Sequence, residues 1–330
     1  MRRALLLLVL LPLLAGCGAS TVGTDRPGAE PTLLLDFQPN AVHAGIYLAT
    51  EREFDQAEGV ELDVKVPGAS TDALKQLQSN RADLAILDIH DLGLARQQGA
   101  DIVGVMAFVQ RPLAAVLAQP GIRSPRQLEG QRVGVTGLPS DDAVLRSIVS
   151  GAGGDPDGVR PVTIGFQAVK ALLAGRVAGA TAFWSAEGVE LKQQRGGQRG
   201  FREFRVDDFG APSYPELVLC VTRRTLDEQL PMVRATIRGL QRGYGEAQRD
   251  PESAVSAMLA AEPDLDRDSL TAQLAAVDEA FTAGARAFGQ LRPAVLRDWA
   301  RWDVKFGILD APPDLGRTFD TSLVGLPPKD

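Results

Sequence analysis

The run LLLDFQPNAVHAGIYLA, residues 33–49, changes its hydrophobic period halfway along. Leu33, Leu34 and Leu35 are continuously apolar, as in a strand buried on both faces. Gln38, Pro39 and Asn40 break that run, and from His43 the apolar positions Ile46, Tyr47 and Ala49 follow helical spacing. The order strand, turn, helix then repeats. Strands are expected at 60–66, 82–87 and 102–108. Ser70 can cap a helix carrying Ala73, Leu74 and Leu77, and another helix is expected at 92–96. Gln110-Arg111-Pro112 interrupts the pattern, which resumes at 113–117. A second series has strands at 132–135, 159–164 and 178–183, with helices at 143–149, 167–173 and 187–194. It ends at 204–206. Residues 216–221 read as a returning strand. Helical patterns occupy 230–248 and the C-terminal third.

Alternating strands and helices predict an α/β architecture with largely parallel sheets. There are two such series, and the chain crosses out near Leu113 and back near Leu217. The expected organisation is a first lobe of residues 32–112 and 217–330, and a second lobe of residues 113–216 that includes the hinge crossings. This layout resembles the type II periplasmic-binding-protein fold: two α/β lobes, a two-stranded hinge and a ligand cleft between them. A length of 330 residues suits two lobes.

The N-terminus has a different pattern. Arg2 and Arg3 precede an apolar stretch, 4–14, that falls short of the roughly 20 residues needed to span a bilayer. Leu14-Ala15-Gly16-Cys17 resembles a bacterial lipobox. That resemblance implies a lipoprotein signal peptide at 1–16, lipidation at Cys17 and a small, polar, flexible tether at 17–31. The body would then stand on the extracytoplasmic face of the membrane, held by its lipid.

Charge and composition narrow the chemistry. A net charge of -7 with no basic block argues against nucleic acid. The two histidines, His43 and His90, cannot form an HExxH zinc pair, and two cysteines cannot build a thiolate cage. No nucleophile elbow and no P-loop occurs. Cys220 lies in an apolar run and reads as a buried core thiol. No metal and no cofactor is expected.

Several phrases resemble one family. Residues 33–49 look like the DW-x-PN-x-x-H-x-GxY-x-A opening of the NMT1/THI5-like proteins, which bind thiamine-pyrimidine precursors. RADLAILDIHD (81–91) and GIRSPRQLEGQRVGV (121–135) match further phrases, the latter shared by many binding proteins of this fold. VTIGFQAVKALLAGRVAGATAFWSAEGVEL (162–191) and GAPSYPELVL (210–219) are more specific. Two positions depart from the pattern: Phe37 replaces the family's tryptophan, and Ser185 replaces an asparagine. The eukaryotic synthases of this family carry a cysteine-rich iron motif where this chain has Cys220 alone.

Each candidate has a physical role and a plain structural alternative. Phe37, at a strand end, can stack on a flat heterocycle or sit in the core. Asn40 can read a pyrimidine edge or hold a turn, and His43 can bond a ligand or cap its own loop. Asp88, at a strand's carboxyl end, suits a ligand or a helix cap. His90 reads as structural. Ser140 lies in a loop, 137–141, whose N–H groups can receive an anionic or carbonyl group. Trp184 and Glu187 form the expected second-lobe pair, a stacking face with an acceptor for an exocyclic amine. Tyr214 and Glu216 lie at the return hinge.

The resemblance implies a solute-binding component of an ABC importer. Its partners would be a small heterocyclic ligand, a permease and that permease's ATPase. The expected ligand is a thiamine-precursor pyrimidine of the hydroxymethyl or formylamino type. Riboflavin, an aromatic sulfonate or another heterocycle is the alternative within the class. An extracytoplasmic enzyme acting on such a ring, or a sensor ectodomain, is the alternative outside it.

Overall fold

The computed structural model describes residues 28–193 and 200–325. The signal segment, Cys17 and Gln194 lie outside the described residues.

The first series forms β1 (Thr32–Leu34), α1 (Ala44–Glu51), β2 (Asp63–Lys65), α2 (Asp72–Gln78), β3 (Leu84–Asp88), α3 (Ile89–Gln97) and β4 (Ile102–Ala107). The second forms β5 (Ala114–Ala118), β6 (Arg132–Val135), α4 (Pro139–Gly151), β7 (Arg160–Thr163), α5 (Ala168–Leu173), β8 (Gly179–Phe183), α6 (Glu187–Gln193) and β9 (Arg202–Arg205). The chain returns as β10 (Leu217–Thr222). Helices α7 (Arg223–Glu228), α8 (Leu230–Arg249), α9 (Pro251–Ala261), α10 (Arg267–Thr282), α11 (Pro293–Lys305) and α12 (Leu315–Thr318) follow.

There are two five-stranded sheets, ordered β2-β1-β3-β10-β4 and β7-β6-β8-β5-β9. In the first, β1 pairs in parallel with β2 and β3, and β10 runs antiparallel to β3 and β4. In the second, β6 pairs in parallel with β7 and β8, and β5 runs antiparallel to β8 and β9. The antiparallel strand in each sheet is the one that enters straight from the other lobe, so it arrives from the opposite end. The edge strand β2 is shorter than the alternation at 60–66 predicts, because its residues are mostly exposed and pair on one side only. Cys220 is fully buried in the central strand β10, and burial pushes its thiol up.

The two hinge crossings are tied together. The Phe108 N–H donates to the Leu217 carbonyl at 2.8 Å. Glu216, fully buried, accepts through Oε2 from the backbone N–H groups of Leu113 (2.7 Å) and Ala114 (3.2 Å).

The C-terminal helices back the first lobe. A Cβ at Gly243 would fall 2.1 Å from the Gly45 carbonyl oxygen, so only glycine lets α8 lie this close to α1. One residue on, the Tyr244 hydroxyl donates to the Val42 carbonyl at 2.6 Å and fixes the loop before α1. Helix α11 brings Trp299, Trp302 and Asp303, all buried, beneath α3.

Candidate functional site

A cavity of about 330 Å³ lies between the lobes, where strands end and helices begin. The loop after β1 supplies Asp36 and Phe37, the end of β3 supplies Asp88, and α3 supplies Asp91. From the second lobe come Thr136 and Leu138 after β6, Ser140 and Asp141 on α4, Phe166 before α5, Phe183 ending β8, and Glu187 on α6. Glu216 closes the floor at the hinge.

The lobes touch across this cavity. Ser140 Oγ donates to Asp91 Oδ2 at 3.1 Å, and Ser70 Oγ to the Thr136 carbonyl at 3.3 Å. The rings of Phe37 and Phe166 meet edge to face, with centroids 4.5 Å apart and planes at 76°. This is a closed arrangement with one aromatic ring from each lobe at the cavity wall.

The lining is acidic. Asp36, Asp88, Asp91, Asp141, Glu187 and Glu216 face it, against the single cation Lys75, whose Nζ donates to Thr71 Oγ1 at 2.9 Å. Burial raises the carboxyl pKa of Asp88, Asp91, Asp141 and Glu216. It raises Glu187 to about 7, against the pull of its own backbone N–H and that of Phe183, which donates to Oε2 at 3.1 Å. Near neutral pH the Glu187 carboxyl can therefore donate as well as accept, which suits a ring with amines and ring nitrogens.

Five of the nine candidate residues, Phe37, Asp88, Ser140, Glu187 and Glu216, line this cavity, and four lie off it. Asn40 uses both ends of its amide locally: Oδ1 accepts from Val42 N–H and Nδ2 donates to the Gln38 carbonyl, each at 3.0 Å. His43 is fully buried. Its Nδ1 accepts from Asn40 N–H at 3.2 Å, which leaves the proton on Nε2 to bond Asp36 Oδ1 at 2.9 Å. Trp184 is not a stacking wall. Its indole N–H donates to the Pro112 carbonyl at 3.0 Å, and the Arg205 guanidinium covers its ring at 4.0 Å. Tyr214 is fully buried and packs on His90 at 4.9 Å.

At the loop 137–141 the chain supplies a carboxylate of its own: Asp141 Oδ2 accepts from the Thr136 N–H at 2.6 Å and from the Thr136 hydroxyl. Gly137, at φ 102°, permits that turn.

Behind the floor lies a group that the sequence does not display. Asp88 Oδ1 accepts from the His90 N–H at 2.7 Å. His90 Nδ1 lies 2.7 Å from Asp303 Oδ1 and 3.0 Å from Trp299 Nε1. Asp303 is wholly buried and pairs with His90, and the Trp299 N–H points at the same Nδ1. Burial alone would lower His90. The carboxylates of Asp303, Asp88 and Glu216 outweigh it and raise the imidazole to about 10. Among the described residues, Asp88, His90 and Glu216 are the one trio of His, Cys, Asp or Glu donors close enough to share an ion.

Sequence reasoning passed over Phe166, Asp91 and Asp141. Phe166 carried a signal: it follows Gly165, between a strand and a helix, as Phe37 follows β1.

Comparison with known proteins supports this architecture. A formylaminopyrimidine-binding protein of Halalkalibacterium halodurans is 29% identical over 255 residues, 77% of each chain. A 4-amino-5-hydroxymethyl-2-methylpyrimidine phosphate synthase of Legionella pneumophila is 24% identical over 293 residues, 87% of this chain and 90% of that one. The alkanesulfonate-binding protein SsuA of Xanthomonas axonopodis pv. citri, solved with MOPS bound, superposes with a TM-score of 0.68. It shares 16% identity, and the match covers 90% of this chain and 96% of SsuA. The fold is thus the two-lobe type II periplasmic-binding-protein fold. The NMT1/THI5-like family model matches residues 40–254, well over half the sequence, and the chain belongs to that family.

Proposed function

We propose that this chain is the extracytoplasmic solute-binding component of an ABC importer, and that it captures a thiamine-precursor aminopyrimidine without altering it. One observation carries the reading: a cavity walled by Phe37 and Phe166 and lined by six acidic side chains against one lysine. Carboxyl groups accept from exocyclic amines, and a charge-assisted bond forms where the ring is protonated. A sulfonate would find six carboxyl groups and a single lysine in the lining, a poor match for a fixed anion. A cavity of about 330 Å³ accommodates a substituted pyrimidine and leaves riboflavin as the competing ligand that the binding test must separate.

The binding relative supports capture over conversion. The cysteine cluster of the family's eukaryotic synthases has no counterpart here, where Cys220 is a solitary core thiol. Cys17 would anchor the protein to the membrane. Among the described residues no helix is long and apolar enough to cross one. The closed lobes would present the loaded ligand to a permease, whose ATPase drives transport.

Calorimetry of the delipidated protein against a formylaminopyrimidine, riboflavin and an alkanesulfonate tests the reading. The pyrimidine should bind and be recovered unchanged by mass spectrometry; a converted product would sink the importer assignment. Glu187→Ala should weaken an aminopyrimidine by about 10- to 100-fold, the worth of a charge-assisted bond. An analogue without the amine should lose much less, and equal losses would refute the amine contact.

A further inference from the structure

We propose that Asp88, His90 and Glu216 form a divalent-metal site at the floor of the cleft, open to the ligand cavity. One donor atom from each of the three lies within 4.8 Å of the other two. Around a shared first-row ion, bonded at about 2.0–2.2 Å, donors stand roughly 3–4 Å apart, so side-chain rotations close the difference.

Each donor is held by its other polar atom. Asp88 is fixed through Oδ1 by the His90 N–H. Glu216 is fixed through Oε2 by Leu113 and Ala114. His90 is fixed through Nδ1 by Asp303. The atoms left over include Glu216 Oε1, which faces the Asp88 carboxyl, and His90 Nε2, which is buried and without a hydrogen-bond partner. Buried polar atoms normally have partners, so an orphaned imidazole nitrogen beside two carboxyls asks for an occupant.

The surroundings match how metal-binding histidines are built. A ligating imidazole usually donates its other N–H to a carboxylate, which fixes its tautomer and orientation. The Asp303 carboxylate stands 2.7 Å from Nδ1 of His90, where such an orienting group belongs, and Trp299, Trp302 and Tyr214 enclose the pair. Asp88 and Glu216 also line the ligand cavity, so a bound ion would keep an open position facing it. One imidazole and two carboxylates suit a borderline ion such as zinc or cobalt(II), which on binding would displace the Nε2 proton of His90 into solvent. The inference does not depend on which organic ligand the cleft takes.

The full protein, stripped with chelator and dialysed, is titrated with Zn²⁺ and separately with Co²⁺. One ion per chain should be retained, and X-ray absorption of the zinc-loaded wild type should show one imidazole among oxygen donors. His90→Gln and Glu216→Gln should abolish retention at one equivalent, and Asp303→Asn should weaken it by about 10- to 100-fold. No retained ion, a first shell without imidazole, or undiminished binding in a folded His90→Gln protein would overturn the site. The absorption measurement decides the question on wild-type protein even where a variant fails to fold.

Discussion

The two histidines of this chain are both fully buried and both paired with an aspartate, yet they sit in opposite situations. His43 spends both nitrogens inside its own loop, on Asn40 and Asp36. His90 spends one on Asp303 and leaves the other unpartnered beside Asp88 and Glu216. The motif that carries His43 is conspicuous in the sequence and builds the wall of the cleft by holding Asp36 in place. His90 stands at a helix start and belongs to the acidic floor. A recognisable motif can therefore hold scaffold residues such as His43 beside lining residues such as Phe37, while the floor is assembled from elsewhere in the chain.

The largest test of this contrast is at the floor. Glu216 joins the hinge crossings and cannot be replaced in place. Glu216→Ala should cost about 3–5 kcal/mol, because two buried N–H groups lose a charged acceptor. Urea denaturation monitored by far-UV circular dichroism reads this directly. A loss under about 1 kcal/mol would mean that water or a shifted backbone satisfies Leu113 and Ala114, and that the floor is less rigid than drawn.

The loop should respond differently. His43→Ala removes two buried hydrogen bonds and leaves a void, for an expected loss of about 2–3 kcal/mol. His43 does not face the cavity, so aminopyrimidine affinity in the folded variant should fall less than in Glu187→Ala. Calorimetry well below the variant's melting temperature compares them. A larger affinity loss for His43→Ala would erase the distinction between scaffold and lining.

This contrast also explains what the sequence could disclose. Strand-turn-helix order, the two series and the hinge crossings follow from local hydrophobic period, and the sheets contain them. Phe37, Asp88 and Glu187 are legible because they stand at strand ends or helix starts, where α/β clefts form. Trp184 misleads because its size draws attention. Neighbours along a strand point to opposite faces, and with Phe183 turned to the cavity Trp184 turns away, towards Arg205. The floor is illegible for another reason. Its members come from β3, α3, the return hinge and α11, and no local spacing links Asp88 and His90 to Glu216 and Asp303. Only the antiparallel entry of β10 beside β3 brings them together.

The smallest test concerns the wall opposite the floor, and its sign follows from burial. Glu187 has its pKa raised from 4.5 to about 7 in the folded protein. The folded state therefore binds this proton more tightly than the unfolded state does. Stability from this group is fully present below about pH 4.5 and is lost as pH rises to about 7. Glu187→Gln keeps an acceptor for the Phe183 N–H and cannot ionise. It should match the wild type near pH 4.5 and exceed it by about 1–2 kcal/mol at pH 8, somewhat less than the full shift implies because the side chain is only half-buried. Denaturant midpoints at the two pH values measure the difference. A constant gap would place a permanently ionised carboxylate at the wall. The lining would then hold fixed negative charge rather than a proton that an incoming amine can replace, and a cationic ring would be favoured over a neutral aminopyrimidine.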